Sequence, residues 1–240
     1  MAYFFQPISA TKWSTIEQLT SAVEIDAAGT QTTCSAKSNA LILGYTVLKK
    51  NAKKEDYGMY ERFKSRAEGV SAEVYRFATK AAALEYIVQL FRDEGVADTP
   101  RSYATWADCE FLRGIDRKQL TGIPGVKFDV TRSNAADSKI GISQVEWALA
   151  DTGTLVQDSS AVEQRLVSSL PEIHIALVPS GNILTDLPSL LPRLTPKNSR
   201  YIAMITGASR TADIERVLTI GVHGPERLII VFVDELGGSN

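Results

Sequence analysis

The sequence contains little cysteine. Of its 240 residues only Cys34 and Cys109 are cysteines, and they lie far apart, outside any C-x-x-C spacing. An iron–sulfur cluster usually takes four Cys thiolates, and structural zinc sites take Cys and His ligands at short, recognisable spacings. We therefore expect neither a metal site nor a disulfide scaffold in this chain.

Long apolar runs and a strong net charge are also absent. No run approaches the roughly 20 apolar residues that span a bilayer, and the start "MAYFFQPISATKW" lacks a basic segment followed by an apolar one. The net charge of -2 gives no electrostatic reason to expect binding to a phosphate backbone. We therefore expect a cytoplasmic protein with no membrane span and no nucleic-acid partner.

Three common enzyme motifs are missing as well. The sequence has no G-x-G-x-x-G or G-x-x-x-x-G-K-[ST] loop, which weakens a dinucleotide-binding or nucleotide-triphosphatase interpretation. It also lacks the G-x-S-x-G turn of α/β-hydrolases, so its Ser, His and Asp residues do not by themselves indicate a hydrolytic triad.

The chain divides into two parts by composition. In residues 1–57, "AAGTQTTCSAKSNA" is small and polar, and "KKNAKKED" is a charge run typical of a solvated helix end or loop. We interpret 1–57 as an N-terminal accessory segment and 58–240 as one α/β domain.

From Tyr60 onward, short β-rich runs alternate with helical runs, which is the pattern of an α/β fold. Thr79 is placed to cap a helix over "KAAALEYIVQLFRDEG", whose apolar residues recur at helical spacing and in which Gly95 is a stop signal. Several strands are continuous apolar runs, as in a sheet covered on both faces. The predicted strands are 72–77, 102–106, 126–130, 154–157, 173–178, 200–205 and 227–235, with a proline-containing helix at 184–194.

The first polar stretch is "GISQVEWALADTGTLVQ", residues 141–157. Ser143 and Glu146 have the S-x-x-E spacing of a helix capping box, which explains both without catalysis. Thr152, Gly153 and Thr154 follow in a tight turn, where Gly153 permits positive φ and the hydroxyls can bind a ligand. Structural and ligand-binding interpretations of this turn both remain open.

The second stretch, "RLVSSLPEIH", runs from Arg165 to His174. A lone histidine at the start of an apolar strand is more often a hydrogen-bonded packing residue than a catalyst, so we favour that reading for His174. Arg165 is the better ligand candidate, because a guanidinium grips a carboxylate or phosphate through two parallel hydrogen bonds.

The third stretch, "ITGASRTADIERVL", follows a strand of buried type. Ser209 or Thr211 can cap a helix whose first turn holds Asp213, which is a complete structural explanation. The end of a strand followed by a helix N-terminus is also where open α/β sheets bind anions. Arg210 favours this second interpretation, since capping has no need of a cation.

Another histidine, His223, lies in "GVHGPE", where Gly224 and Pro225 predict an irregular loop before a buried strand. A histidine in such a loop is better placed to face a cleft than His174. We keep His223 as a candidate proton acceptor and Asp213 as a second candidate catalytic residue.

The three stretches "GISQVEWALADTGTLV", "RLVSSLPEIHIALV" and "TGASRTADIERVLTIGVHGPERL" together resemble the lactate utilization (LUD) domain family over roughly residues 60–236. The chain departs from the family pattern at Ala208, where a Pro is usual, and at Asp151, where a Glu is frequent. The resemblance implies an α/β three-layer sandwich with a mainly parallel or mixed sheet, similar to the NagB, ribose-5-phosphate isomerase and CoA-transferase superfamily.

The resemblance also implies a role in oxidising L-lactate to pyruvate beside two iron–sulfur subunits. The low cysteine content agrees with a division of labour in which those partners carry the clusters and this chain carries no cofactor. The positions that match the family pattern are Thr152, Gly153, Thr154, Arg165, Pro171, His174, Ser209, Arg210, Thr211, Asp213, His223, Gly224 and Pro225.

The leading hypothesis is an accessory or substrate-binding component of a lactate-oxidising iron–sulfur complex, with Arg165 and Arg210 as contacts for a small carboxylate or phosphate. An alternative is a stand-alone enzyme similar to CoA-transferases or isomerases, for which Glu146 or Asp151 would be the nucleophile. A non-catalytic interaction module is a third possibility. Whether the chain is itself an enzyme stays open.

Overall fold

The computed structural model describes residues 58–195, 201–212 and 218–237. The predicted accessory segment 1–57 and the candidate catalytic residue Asp213 lie outside these residues.

The larger sheet has six strands, and every neighbouring pair runs parallel. A parallel sheet needs crossover connections that cover its faces, which agrees with the continuous apolar strands of the sequence. In spatial order its strands are β1 (Ala72–Phe77), β12 (Arg227–Val233), β7 (Ile173–Pro179), β4 (Ser138–Gln144), β2 (Tyr103–Trp106) and β3 (Val126–Lys127).

A smaller mixed sheet and a short hairpin complete the described strands. The smaller sheet contains, in spatial order, β8 (Ile183–Leu184), β5 (Trp147–Leu149), β6 (Thr154–Asp158) and β9 (Ile202–Ile205). The hairpin pairs β10 (Arg210–Ala212) antiparallel with β11 (Leu218–Ile220).

Six α-helices lie among the described residues. They are α1 (58–68), α2 (Lys80–Asp93), α3 (Arg117–Thr121), α4 (Arg132–Ala136), α5 (Val162–Ser169) and α6 (Leu187–Leu190). None of them is long and apolar enough to cross a membrane.

Local sequence signals determine α2. The Thr79 side chain accepts a hydrogen bond from the backbone N–H of Ala82, as an N-cap does, and Gly95 takes a φ of 69° just after the helix. Its buried face includes Ile87 and Phe91, two of the residues predicted from helical spacing. The predicted helix and its cap are confirmed.

Alternate residues of the central strand β7 face two different cores. Ile175 and Leu177 pack with α2 on one face of the six-stranded sheet. Ala176 and Val178 face the other core, which contains residues of α1 and of the small sheet. The sheet is therefore covered by a helix on one face and by a helix and a second sheet on the other, and the predicted α/β fold is confirmed.

Several predicted elements are wrong in detail. The strand predicted at 126–130 ends at Lys127, and the helix predicted at 184–194 is reduced to α6 and a 3-10 turn, Leu191–Arg193, as its prolines indicate. The helix predicted after Ser209 is also wrong where the chain is described, because β10 and β11 lie on either side of residues 213–217. Neither Ser209 nor Thr211 caps a helix.

Candidate functional site

A pocket of about 270 Å³ collects residues from distant parts of the chain. This is just below the roughly 300–1,000 Å³ of sites for drug-sized ligands, so it suits a smaller molecule. Its wall contains both histidines of the sequence and four hydroxyl side chains, but no Asp, Glu, Lys or Arg. The lining residues are Ser168, Ser169, His174, Met204, Ile205, Thr206, Gly207, Ala208, Ser209, His223, Gly224, Pro225 and Leu228.

The pocket lies between the two sheets. His174 and Leu228 are each the second residue of a parallel strand, β7 and β12, so these strands meet the pocket at their amino ends. The loop after β9 closes the other side. We predicted a site after the strand at 200–205, and the pocket does lie there. That strand belongs to the small sheet, however, where it pairs antiparallel with β6. The predicted helix N-terminus at this place is absent from residues 206–212.

The loop Thr206–Ser209 is held close to the rest of the domain. Gly207 has a φ of 71°, and a Cβ at this position would lie 2.2 Å from the carbonyl oxygen of Val70. The backbone N–H of Ser209 donates to the carbonyl of Pro225 at 2.9 Å, and that of Gly221 donates to the carbonyl of Ser209 at 3.0 Å. These bonds bring the "TGASR" and "GVHGPE" stretches to one wall of the pocket.

His174 is fully buried and forms one side chain of the pocket wall. Its Nε2 lies 2.8 Å from the Oγ of Ser143, which is buried in the adjacent strand β4. Burial lowers the pKa of His174 to about 4, so the ring is neutral at pH 7. Its Nδ1 is buried and has no hydrogen-bond partner among the described residues. The prediction of a hydrogen-bonded packing histidine therefore explains Nε2, which is hydrogen-bonded, but not Nδ1, which is not.

Ser143 and Glu146 do not form a helix capping box. Ser143 lies in β4, and Glu146 lies between β4 and β5, where its carboxylate accepts a hydrogen bond from the backbone N–H of Asp158. The capping interpretation is wrong because the residues around them are buried between two sheets, and burial overrides a local spacing that would suit a helix. The Ser143 to His174 contact was missed for this reason.

Partial burial changes the titration of Glu146. Burial raises its pKa to about 7, although the hydrogen bond from the backbone N–H of Asp158 acts in the opposite direction. A carboxyl group in this position holds its proton more tightly in the folded chain than in the unfolded chain.

The replacement Glu146→Gln is expected to flatten the pH dependence of stability. The folded pKa is raised from 4.5, so the stabilisation from this proton is complete below pH 4.5 and is lost as the pH rises through about 7. Relative to the variant, the wild-type free energy of unfolding should fall over that range by up to about 3 kcal/mol. Urea unfolding at a series of pH values measures this. Parallel curves for the two proteins would contradict it, and Glu163→Gln on the exposed face of α5 is the matched control.

The turn at 152–154 lies beside the site without lining it. Gly153 takes a φ of 67°, as its place in the turn predicts, and packs against the backbone of Ala67 in α1. The Thr154 hydroxyl lies 2.9 Å from that of Thr206, which does line the pocket. Thr152 is exposed. The turn thus supports the pocket loop through Thr154, and ligand binding by its residues stays a prediction.

The two candidate arginines have partners outside the pocket wall. Arg165 in α5 donates to the backbone carbonyls of Ser159 and Ser160, and its guanidinium lies over the ring of Tyr201 at 5.2 Å. Arg210 donates to the hydroxyl of Ser71 at 2.6 Å. Neither lines the pocket, whose polar side chains in the described residues are hydroxyl and imidazole groups.

The structure places some of the other predicted site residues in the pocket lining and others outside it. Ser209, His223 and Gly224 line the pocket together, whereas Thr211 lies in β10 and is not part of the lining. His223 is exposed, as predicted for a loop histidine facing a cleft. Within the described residues, no group of three or more His, Cys, Asp or Glu side chains is arranged to hold a metal ion.

The sequence of this chain matches a known domain family. The model of the LUD domain matches residues 60–233, so the chain belongs to the LUD domain family. This confirms the resemblance that the three polar stretches indicated.

Named relatives agree with this assignment. The chain is 35% identical over 133 residues to lactate utilization protein C 1 of Bacillus mycoides, which covers 53% of this chain and 56% of the relative. It is 29% identical over 168 residues to lactate utilization protein C of Halalkalibacterium halodurans, covering 65% and 72%. The alignment thus spans little more than half the length of the first of these relatives.

A solved structure has the same fold. A DUF162 family protein from Deinococcus radiodurans superposes with a TM-score of 0.52 over 74% of this chain and 98% of that chain, at 19% identity. At this identity the likeness concerns the fold alone.

Proposed function

We propose that this protein takes part in lactate utilization by binding a small hydroxy or keto acid in the pocket between the two sheets. The observation that carries the proposal is the lining itself, which combines two histidines with four hydroxyl groups and contains no carboxylate. A carboxylate ligand would meet hydrogen-bond donors there without like-charge repulsion. The names of the relatives provide the connection to lactate.

In this proposal the chain is the substrate-binding component of an iron–sulfur complex. Oxidation of lactate to pyruvate removes two electrons and two protons. This chain would take the hydroxyl proton, and the partner subunits would supply the acceptor for the two electrons and for the proton that leaves the carbon. His223 is the candidate acceptor for the hydroxyl proton, because it is exposed at the pocket and an imidazole nitrogen can act as a general base. With only two cysteines, the chain depends on its partners for the clusters.

The alternative of a CoA-transferase-like enzyme finds less support. That route needs a carboxylate nucleophile at the substrate, and neither Glu146 nor Asp151 lines the pocket. The wall offers Ser and His groups instead.

Isothermal titration calorimetry of the chain with L-lactate and with pyruvate tests the proposal. We expect saturable binding that Ser209→Ala and His223→Gln each weaken about tenfold or more, since a hydrogen bond to a charged group contributes about 1.5–3 kcal/mol. Ser133→Ala, at an exposed position of α4, is the matched control and should bind like the wild type.

Failure of both acids to bind, or equal binding by the two pocket variants and the wild type, would contradict substrate binding here. Oxidation of lactate by the isolated chain with an artificial acceptor would contradict the accessory role instead.

A further inference from the structure

The buried pair formed by Ser143 and His174 contains one ring nitrogen without a hydrogen-bond partner in the described residues, and His174 is one of the residues that line the pocket. Both side chains are fully buried, and the 2.8 Å bond between Oγ and Nε2 is the hydrogen bond that joins them. The other ring nitrogen, Nδ1, has no partner in the described part of the chain, although His174 is among the residues that line the pocket. Buried polar groups are nearly always paired, so an unpaired one at a pocket points to a ligand.

The position of the protons decides which kind of ligand atom fits. A neutral imidazole carries its proton on one nitrogen only. If Nε2–H donates to Ser143, the serine proton has no acceptor, because Ser143 has no other partner in the described residues. If instead the Ser143 hydroxyl donates to Nε2, the ring proton is on Nδ1.

The two arrangements differ in the kind of ligand atom that leaves no buried hydrogen-bond donor unpaired. A ligand oxygen that accepts from Nδ1–H pairs every donor of Ser143 and His174. A ligand hydroxyl that donates to a bare Nδ1 leaves the serine proton buried and unpaired, which costs about 1–3 kcal/mol. The pair therefore selects a hydrogen-bond acceptor.

We propose that Ser143 holds His174 in the Nδ1–H tautomer, and that this N–H donates a hydrogen bond to a carboxylate or keto oxygen of the bound acid. His174 is then a binding residue and Ser143 a positioning residue. The inference rests on the proposed function and sharpens it: His174 recognises an oxygen of the acid, and the hydroxyl proton goes to His223.

The chain offers a direct test because His174 and His223 are its only histidines. Nitrogen-15 NMR of the histidine-labelled chain gives two ring systems, which the variant His223→Gln assigns. We expect a protonated Nδ1 and an unprotonated Nε2 for His174 at neutral pH, and a shift of the Nδ1–H signal on addition of pyruvate. A protonated Nε2 of His174 in the wild-type chain would overturn the proposal.

The ligand response separates this inference from the proposed function. If pyruvate moves the His223 signals and leaves those of His174 unchanged, the acid binds without His174, and the inference alone fails. If pyruvate moves neither, the proposed function fails as well.

Variants add a second readout. His174→Asn keeps an amide N–H close to the position of Nδ1 and should retain binding of pyruvate better than His174→Phe, which lacks any donor and should lose tenfold or more. Ser143→Ala should yield a mixture of tautomers and weaker binding, and Ser143→Thr should restore the single tautomer. Equal binding of pyruvate by the Asn and Phe variants would contradict the donor role.

Discussion

Replacing Gly207 by alanine is expected to destabilise the domain by about 2–6 kcal/mol and to abolish acid binding in the pocket. Two effects add at this position. A non-glycine residue at a φ of 71° is strained by about 1–3 kcal/mol. The new methyl group would also lie 2.2 Å from the carbonyl oxygen of Val70, an overlap that costs typically 1–3 kcal/mol because backbone atoms must move. Urea unfolding and pyruvate titration measure the two losses.

Gly95 provides a matched control for the strain alone. Its φ is 69°, and a Cβ there would meet nothing within 4 Å. Gly95→Ala should therefore cost only the left-handed backbone strain, about 1–3 kcal/mol, and leave binding intact. Equal loss of unfolding free energy in the two variants would show that the contact with Val70 adds nothing to the cost of Gly207→Ala.

Replacing Phe232 by alanine is expected to cost about 3–5 kcal/mol. The side chain is fully buried in β12, and its ring meets the rings of Tyr60 and Phe63 edge to face, at centroid distances of 5.4 and 5.2 Å. Truncation would leave a cavity between the large sheet and α1 that the rings of Tyr60 and Phe63 cannot fill. Since a domain is stable by about 5–15 kcal/mol, the variant should lose a large part of its stability.

Denaturant unfolding checks this, with Leu191→Ala as the control. The side chain of Leu191 is 57% exposed, so its truncation should change stability by no more than about 0.5 kcal/mol. A loss below about 1 kcal/mol for Phe232→Ala would contradict the view that α1 is joined to the sheet through this aromatic contact.

The parts of the fold that the sequence predicts correctly depend on local signals. Thr79 caps α2 through a neighbour three residues away, and the strand predicted at 173–178, "IHIALV", is a nearly continuous apolar run. Such signals are complete within one short stretch, so no knowledge of the partner strands is needed.

The misassigned parts depend on contacts between distant residues. Ser143 and Glu146 have a capping spacing, yet Ser143 finds its partner 31 residues away at His174. The stretch after Ser209 looks like a helix start, yet Arg210 pairs across a hairpin with Ile220. In each case tertiary pairing outweighs a local preference of a few tenths to about 1 kcal/mol per residue.

The candidate site shows the same division. His223 and Gly224 were recognisable as residues of a loop before a buried strand, and Ser209 as a candidate ligand residue after one. The structure brings these three residues to one pocket. Ser168, Ser169 and Thr206 were not recognisable, because a serine near a helix end and a threonine after a strand carry no chemical signal until the sheets are assembled. Arg165 and Arg210 were chosen for their charge, and the fold gives both of them partners elsewhere.

The contact between the Thr154 and Thr206 hydroxyls has a consequence for how this family varies. It joins two stretches that lie 52 positions apart and connects the supporting turn to the loop of the pocket. A single change to an apolar residue at either position leaves the other hydroxyl without this partner, whereas a paired change removes both hydroxyls at once. The two positions should therefore change together among related sequences. An alignment of the family should show this correlation, although the two motifs lie far apart in the sequence.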